Sequence, residues 1–190
     1  MKRGPDRRLL LITLALVVVG LLMVYSAGQT DVPSPARNAW IRQVGWVVIA
    51  LLAGAVVSRV NFRLLEWAAP GLYGLGVALL VVTLFLGTGS GTAASSRSWL
   101  AIGGYRIGQP VELAKLGTIL LLARYLSSFR DAPRSLRGLI TPGAIAAVPI
   151  ILVMAQPDLG SAIVFVGILF AMLFWAGVSP RLLLLLASPL

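Results

Sequence analysis

Six apolar runs in succession decide what this chain can fold into. Leu9–Ala27, Trp40–Ser58, Trp67–Leu86, Pro110–Leu126, Leu139–Ala155 and Leu159–Ala176 each come near the roughly 20 residues a helix needs to cross a hydrocarbon core of about 30 Å. A seventh run begins around Arg181 and reaches Leu190. The expectation is an all-α polytopic transmembrane bundle, six spans and part of a seventh, forming a single transmembrane domain over residues 1–190. A water-soluble globule is excluded by a hydrophobic fraction of 58% and a mean hydropathy of +0.94. The first run follows Lys2, Arg3, Arg7 and Arg8 as a signal peptide would, but it is longer than the roughly 7–15 residues of such an apolar region. It reads as a retained span.

The net charge of +10 is spread between apolar runs and not gathered on a polar face with interleaved aromatics, so nucleic acid is not an expected partner. Its distribution reports orientation. With the N-terminus in the cytoplasm, Lys2, Arg3, Arg7, Arg8, Arg59, Arg63, Arg124, Arg130, Arg134, Arg137 and Arg181 fall inside. Only Arg37, Arg42, Arg97 and Arg106 fall outside, with Lys115 just within a span. Membrane lipid is thus the surrounding partner and a cytoplasmic N-terminus the expectation.

With no histidine and no cysteine, the chain holds no disulfide framework, no Cys/His zinc site and no Ser-His or Cys-His nucleophile pair. Acid–base work falls to Asp, Glu, Lys, Tyr or water. Two short stretches mirror one another, "QPVEL" at Gln109–Leu113 and "QPDLG" at Gln156–Gly160. In each, Gln and Pro precede an acid at the start of an apolar run, which suits a helix start with Pro at the first helical position. Glu112 and Asp158 then have two readings. Either each sits in a first turn, where the helix dipole favours a negative charge by roughly 0.3–1 kcal/mol, or each lines a cavity. Lys115 lies three residues after Glu112 and can pair with it, or can meet an anionic headgroup from the outer side.

Residues 87–109, "GTGSGTAASSRSWLAIGGYRIGQ", form the long outer loop, and their glycines and serines favour an irregular path. Within it Trp99 and Tyr105 fit an interfacial aromatic belt; alternatively Trp99 covers a lipid tail or sugar face while Arg97 neutralises a phosphate. Trp40, Trp46, Trp67 and Trp175 lie near span ends. Pro142 and Pro149 are expected to kink or shorten the fifth run.

Four longer segments resemble the SEDS family of bacterial cell-wall proteins, named for shape, elongation, division and sporulation. They are "RQVGWVVIALLAGAVVSRVNFRLLE" at Arg42–Glu66, "RSWLAIGGYRIGQPVELAKL" at Arg97–Leu116, "ARYLS" at Ala123–Ser127 and "QPDLGSAIVF" at Gln156–Phe165. The first and third look closer to the elongation branch than to the division branch. The resemblance implies a SEDS-type bundle of about ten spans in the bacterial cytoplasmic membrane. It implies a glycosyltransferase that polymerises lipid II into peptidoglycan beside a class B penicillin-binding protein. Arg97 and Trp99 match the family's Arg-Trp loop motif, Glu112 and Lys115 its Gln-Pro-x-Glu helix start, and Asp158 its Gln-Pro-Asp-Leu-Gly turn. Val111 stands where Ser is common, and "SSRS" replaces the usual Asn-Gly-Ala lead-in to Trp99. The family's proposed catalytic aspartate lies in a long loop of the second half, which implies that this chain is an N-terminal portion, inactive alone.

On that resemblance Lys115, Arg97 and Arg106 are expected to hold phosphate, while Asp158 and Glu112 orient the cavity or a divalent cation. No cofactor is otherwise implied. A division-type polymerase, a transporter that flips lipid II, and a membrane scaffold for the penicillin-binding protein are the alternatives.

Overall fold

A computed structural model describes residues 6–29, 35–89, 98–102, 105–129, 133 and 135–188. Among them lie seven α-helices and one two-stranded hairpin, in two compact units, residues 1–60 and 61–190.

The first unit pairs α1 (Arg7–Gly28) with α2 (Ala39–Val57), a 3-10 turn at Pro35–Asn38 leading into α2. Asp6 fixes where α1 begins, its carboxylate accepting the Arg8 N–H at 2.9 Å and so satisfying one of the donors a helix start leaves open. Tyr25 and Trp40 meet edge to face with ring centres 5.8 Å apart.

The second unit contains α3 (Phe62–Leu86), β1 (Leu100–Ile102), β2 (Tyr105–Gly108), α4 (Pro110–Ser127), α5 (Leu136–Ala155), α6 (Leu159–Trp175) and α7 (Pro180–Ala187). Four helices, α1, α2, α3 and α5, are long and apolar enough to cross a membrane. Of the other two expected spans, α6 is apolar with 17 residues, and α4 has 18 but carries Glu112, Lys115 and Arg124.

The packed faces are stripes at helical spacing. On α3, Ala69, Gly76, Leu80 and Thr83 are buried; on α4, Val111, Ala114, Gly117, Thr118 and Leu122 are buried. At Gly76 and Gly117 the stripes meet backbone to backbone. A Cβ added at Gly76 would lie 2.7 Å from the Ala114 Cα, and one at Gly117 would lie 2.7 Å from the Tyr73 Cα. Small residues therefore bring the two backbones together, the usual solution for helices that gain nothing from excluding water within lipid.

Two apolar clusters complete the unit. Leu122, Leu139, Ala146, Leu169, Leu173, Val178 and Leu183 join α4 to α7, and Leu80, Val111, Ala114, Val153, Ala162 and Phe165 join α3 to α6.

The fifth run is not shortened: α5 passes through Pro142 and Pro149 without interruption from Leu136 to Ala155. Proline has no N–H, so Pro149 leaves the carbonyl of Ile145 without its helical donor. The Tyr73 hydroxyl of α3 donates to that oxygen at 2.9 Å. Pro70 does the same to Glu66 within α3, and there the Arg124 guanidinium of α4 donates at 2.9 Å. Pro149 and Pro70 thus each create an acceptor that a neighbouring helix fills.

Candidate functional site

The end of α3, the hairpin, the starts of α4 and α6 and the end of α5 all come to one end of the second unit, because the helices alternate in direction. Three of the five expected site residues, Glu112, Lys115 and Asp158, lie on those helix starts, and Trp99 lies beside the hairpin.

Pro110 occupies the first position of α4 as expected, where a missing N–H has no cost. One and four residues on, Val111 and Ala114 are buried against Leu80 and Phe165, which fixes the helix roll and leaves Glu112 on the exposed side. Lys115 Nζ donates to Glu112 Oε1 at 2.7 Å. The lysine side chain is only 18% exposed and the glutamate 63%, so the cation is held in a sheltered place by a carboxylate that solvent reaches. Val111, where the family commonly has Ser, belongs to the apolar cluster and makes no part of the polar surface.

The second helix start differs from the expectation. Pro157 is not the first helical residue: α6 begins at Leu159 and Asp158 is its N-cap. Its Oδ1 accepts the Ser161 N–H at 3.0 Å and its Oδ2 the Ser161 hydroxyl at 2.8 Å. A carboxylate that closes a first turn is worth more there than one inside it, since it satisfies an orphan N–H directly. Replacing Asp158 by Ala is therefore expected to destabilise the chain by about 0.5–2 kcal/mol, and by Asn by much less. Urea or SDS titration of the two variants checks this; equal losses would mean that the charge and not the cap matters.

Next to Asp158 stands a residue that sequence reasoning passed over. Gln156, 2% exposed, donates through Nε2 to the Leu80 carbonyl at 2.8 Å, tying the α5–α6 turn to α3. The signal was in the motif itself, since a buried amide must find a partner.

The long loop is more ordered than its glycines implied. Leu100–Ile102 pairs antiparallel with Tyr105–Gly108, Ile102 opposite Tyr105 and Leu100 opposite Gly108, with an irregularity after Leu100. Gly103-Gly104 between two strands is a two-residue hairpin signal that the loop reading overlooked. Trp99 is anchored by its backbone: its carbonyl accepts the Thr88 N–H at 2.8 Å and its N–H donates to the Thr88 carbonyl at 3.3 Å. The indole is half-buried. Arg97 lies outside the described residues, as does the side chain of Arg106.

Val111, Ala114, Ala162 and Phe165 bind the starts of α4 and α6 into one cluster, but among the described residues no ion pair joins Lys115 to Asp158. The acids do not fit a protein-held divalent cation either. Among the described residues no three Asp, Glu, His or Cys gather, and Asp158 is turned onto Ser161 and Glu112 onto Lys115.

The profile of a family described as cell cycle protein, FtsW/RodA/SpoVE, matches residues 7–189. The probable peptidoglycan glycosyltransferase FtsW of Mycobacterium tuberculosis is 34% identical over 173 residues, covering 89% of this chain and 33% of that protein. The peptidoglycan glycosyltransferase RodA of Treponema pallidum is 32% identical, covering 94% and 40%. Stage V sporulation protein E of Bacillus subtilis is 33% identical, covering 93% and 49%. The chain thus spans between a third and a half of the length of these relatives. Among solved structures, the rod shape determining protein RodA of Thermus thermophilus superposes with a TM-score of 0.77 at 29% identity, over 95% of this chain and 56% of that one. A chain of a peptidoglycan synthase complex superposes with a TM-score of 0.72 at 29% identity, over 88% and 45%.

Proposed function

The chain belongs to the FtsW/RodA/SpoVE (SEDS) family of cell cycle proteins, multi-pass membrane proteins, and on that premise we propose that it forms part of a peptidoglycan glycosyltransferase that polymerises lipid II into glycan strands. The observation that carries this reading is Lys115, a sheltered cation held ready by Glu112 at the start of α4, a helix start joined to that of α6 through Val111, Ala114 and Ala162.

In the reaction the 4-hydroxyl oxygen of one sugar bonds to the anomeric carbon of another. The bond from that carbon to the lipid pyrophosphate breaks, and the hydroxyl proton passes to a base. Negative charge grows on the leaving pyrophosphate, so a cation that gains a partner there stabilises the transition state more than the ground state. Lys115 supplies it by exchanging the Glu112 carboxylate for a phosphate oxygen. Asp158 and Gln156 act by holding the wall in place, Asp158 by capping α6 and Gln156 through its bond to α3. Arg97 and Trp99 complete the proposed binding face.

A transporter that flips the lipid needs polar groups along a path to both faces. Among the described residues the buried polar side chains are Thr83, Ser98, Thr118 and Gln156; Thr83, Ser98 and Gln156 lie toward the hairpin end and Thr118 at the middle of α4, which favours polymerisation over a path to both faces. The elongation role, a class B penicillin-binding protein as partner, the bacterial cytoplasmic membrane as location and a cytoplasmic N-terminus complete the proposal. Relatives named FtsW, RodA and stage V sporulation protein E match alike at 32–34% identity, so the elongation role rests on the Arg42–Glu66 and Ala123–Ser127 segments alone.

Lys115→Gln is expected to weaken binding of fluorescent lipid II to the chain in nanodiscs by roughly ten- to hundredfold, the range for a hydrogen bond to a charged group, while Lys115→Arg keeps most of it. Unchanged affinity in Lys115→Gln would remove the lysine from the site.

A further inference from the structure

In the first unit, α1 and α2 lie side by side without closing on one another. Leu10, Val17 and Val24 of α1 face Val47, Ala50 and Gly54 of α2 along one stripe, the arrangement that normally fills with interlocking side chains. Here it stays open. Two cavities of about 520 and 390 Å³ share Thr13, Val17 and Val47, so they form one continuous seam. A Cβ added at Gly20 or Gly54 would meet nothing within 4 Å. The seam is an open groove between two helices whose apolar stretches are not buried, a surface that hydrocarbon covers more favourably than water does.

We propose that this seam holds an acyl chain of an anionic membrane phospholipid, whose phosphate sits at Arg7, Arg8 and Arg59. Three observations fix the class of ligand. The seam is lined by hydrocarbon apart from three side chains: the Thr13 hydroxyl is turned onto the Leu9 carbonyl at 2.9 Å, the Ser58 hydroxyl onto the Ala55 carbonyl at 2.8 Å, and Gln43 lies at the end away from Ser58. It is long enough for an acyl chain, since Leu10 to Val24 rises roughly 21 Å at 1.5 Å per residue and so covers the about 15 Å of one leaflet's hydrocarbon and runs on past the midplane. Its mouth is basic. Where Leu10 and Ser58 line the seam, α1 begins with Arg7 and Arg8, and Arg59 follows Ser58 directly. The nearest acid in sequence, Asp6, spends one carboxylate oxygen on the Arg8 N–H. The proposal does not depend on the enzymatic reading, which concerns the second unit.

The test is native mass spectrometry of the chain released from nanodiscs of phosphatidylglycerol and phosphatidylcholine in equal amounts. Phosphatidylglycerol is expected to be retained preferentially, and each of Arg7→Gln, Arg8→Gln and Arg59→Gln should lower the preference roughly fivefold, the effect of about 1 kcal/mol per basic residue near an anionic lipid. Gly54→Leu fills the seam and should abolish retention with the arginines intact. Wild-type chain provides a check that needs no variant: phosphatidylglycerol with a photoreactive acyl chain should cross-link to Val17–Val24 and Gln43–Val47. Equal retention of the two lipids, retention undiminished in Gly54→Leu, cross-links confined to other helices, or displacement of phosphatidylglycerol by a polyprenyl phosphate would each overturn the proposal.

Discussion

Gly117→Ala is expected to destabilise the chain by about 1–3 kcal/mol or more, although alanine is the better helix former by about 1 kcal/mol in water. The added Cβ would lie 2.7 Å from the Tyr73 Cα, 2.8 Å from the Tyr73 nitrogen and 2.9 Å from the Leu72 carbonyl carbon. All three are backbone atoms, so no side chain can rotate aside and α4 must move off α3. Gly76→Ala repeats the fault against the Ala114 backbone, and because both substitutions push the same helices apart, their combined cost should be less than additive. Gly143→Ala and Gly167→Ala, where an added Cβ meets nothing within 4 Å, are the controls. Unfolding of the purified chain in mixed micelles by SDS measures all of these. If Gly117→Ala unfolded at the same midpoint as Gly143→Ala, the close approach of α3 and α4 would be wrong. Moving α4 also moves Lys115, so the same substitution should weaken lipid II binding.

Tyr73→Phe is the second large effect, and its cause can be isolated. Removing the hydroxyl leaves the Ile145 carbonyl without the donor that replaced the missing N–H of Pro149, at a cost of about 1–3 kcal/mol for a buried unsatisfied acceptor. Pro149→Ala returns an N–H four residues on from Ile145, so the helix can satisfy that carbonyl by itself. Tyr73→Phe should then cost little in the Pro149→Ala background. A double-mutant cycle on SDS unfolding reads the difference directly. Equal cost of Tyr73→Phe in both backgrounds would show that the tyrosine acts by packing and not through the carbonyl. The Arg124 and Pro70 pair offers the same cycle at Glu66, at a more exposed place where the cost should be smaller.

The helices were legible because continuous apolar runs need only be counted; Pro110 opens α4 as its motif implied, whereas α6 begins at Leu159, two residues after Pro157. Which face each helix packs was not legible. A helix in lipid is apolar all round, so Leu80 in the core and Phe85, 75% exposed, belong to the same apolar composition. Gly76, Ala114 and Gly117 mark the packed face instead, and small residues are a weaker signal than a hydrophobic stripe. The site was legible in its motifs, less so in its roles. Glu112 and Lys115 pair as their spacing of three implies, whereas Asp158 proved a cap because Ser161, three residues on, supplies both of its donors. Pro70 and Pro149 carried a message that requires the third dimension: each names an orphan acceptor in its own helix, but only packing shows that Arg124 and Tyr73 answer it.

The central claim is that the helix starts around Lys115 serve the polymerisation of lipid II. The direct measurement is gel analysis of labelled lipid II incubated with this chain joined to the remaining length of the Thermus thermophilus RodA, with a class B penicillin-binding protein present, beside this chain alone. Glycan ladders from the joined protein, none from the chain alone, and loss of the ladders in Lys115→Gln are the predicted result. A joined protein that inserts, folds and binds its partner yet yields no ladder, or one whose ladders are unchanged by Lys115→Gln, would contradict the claim.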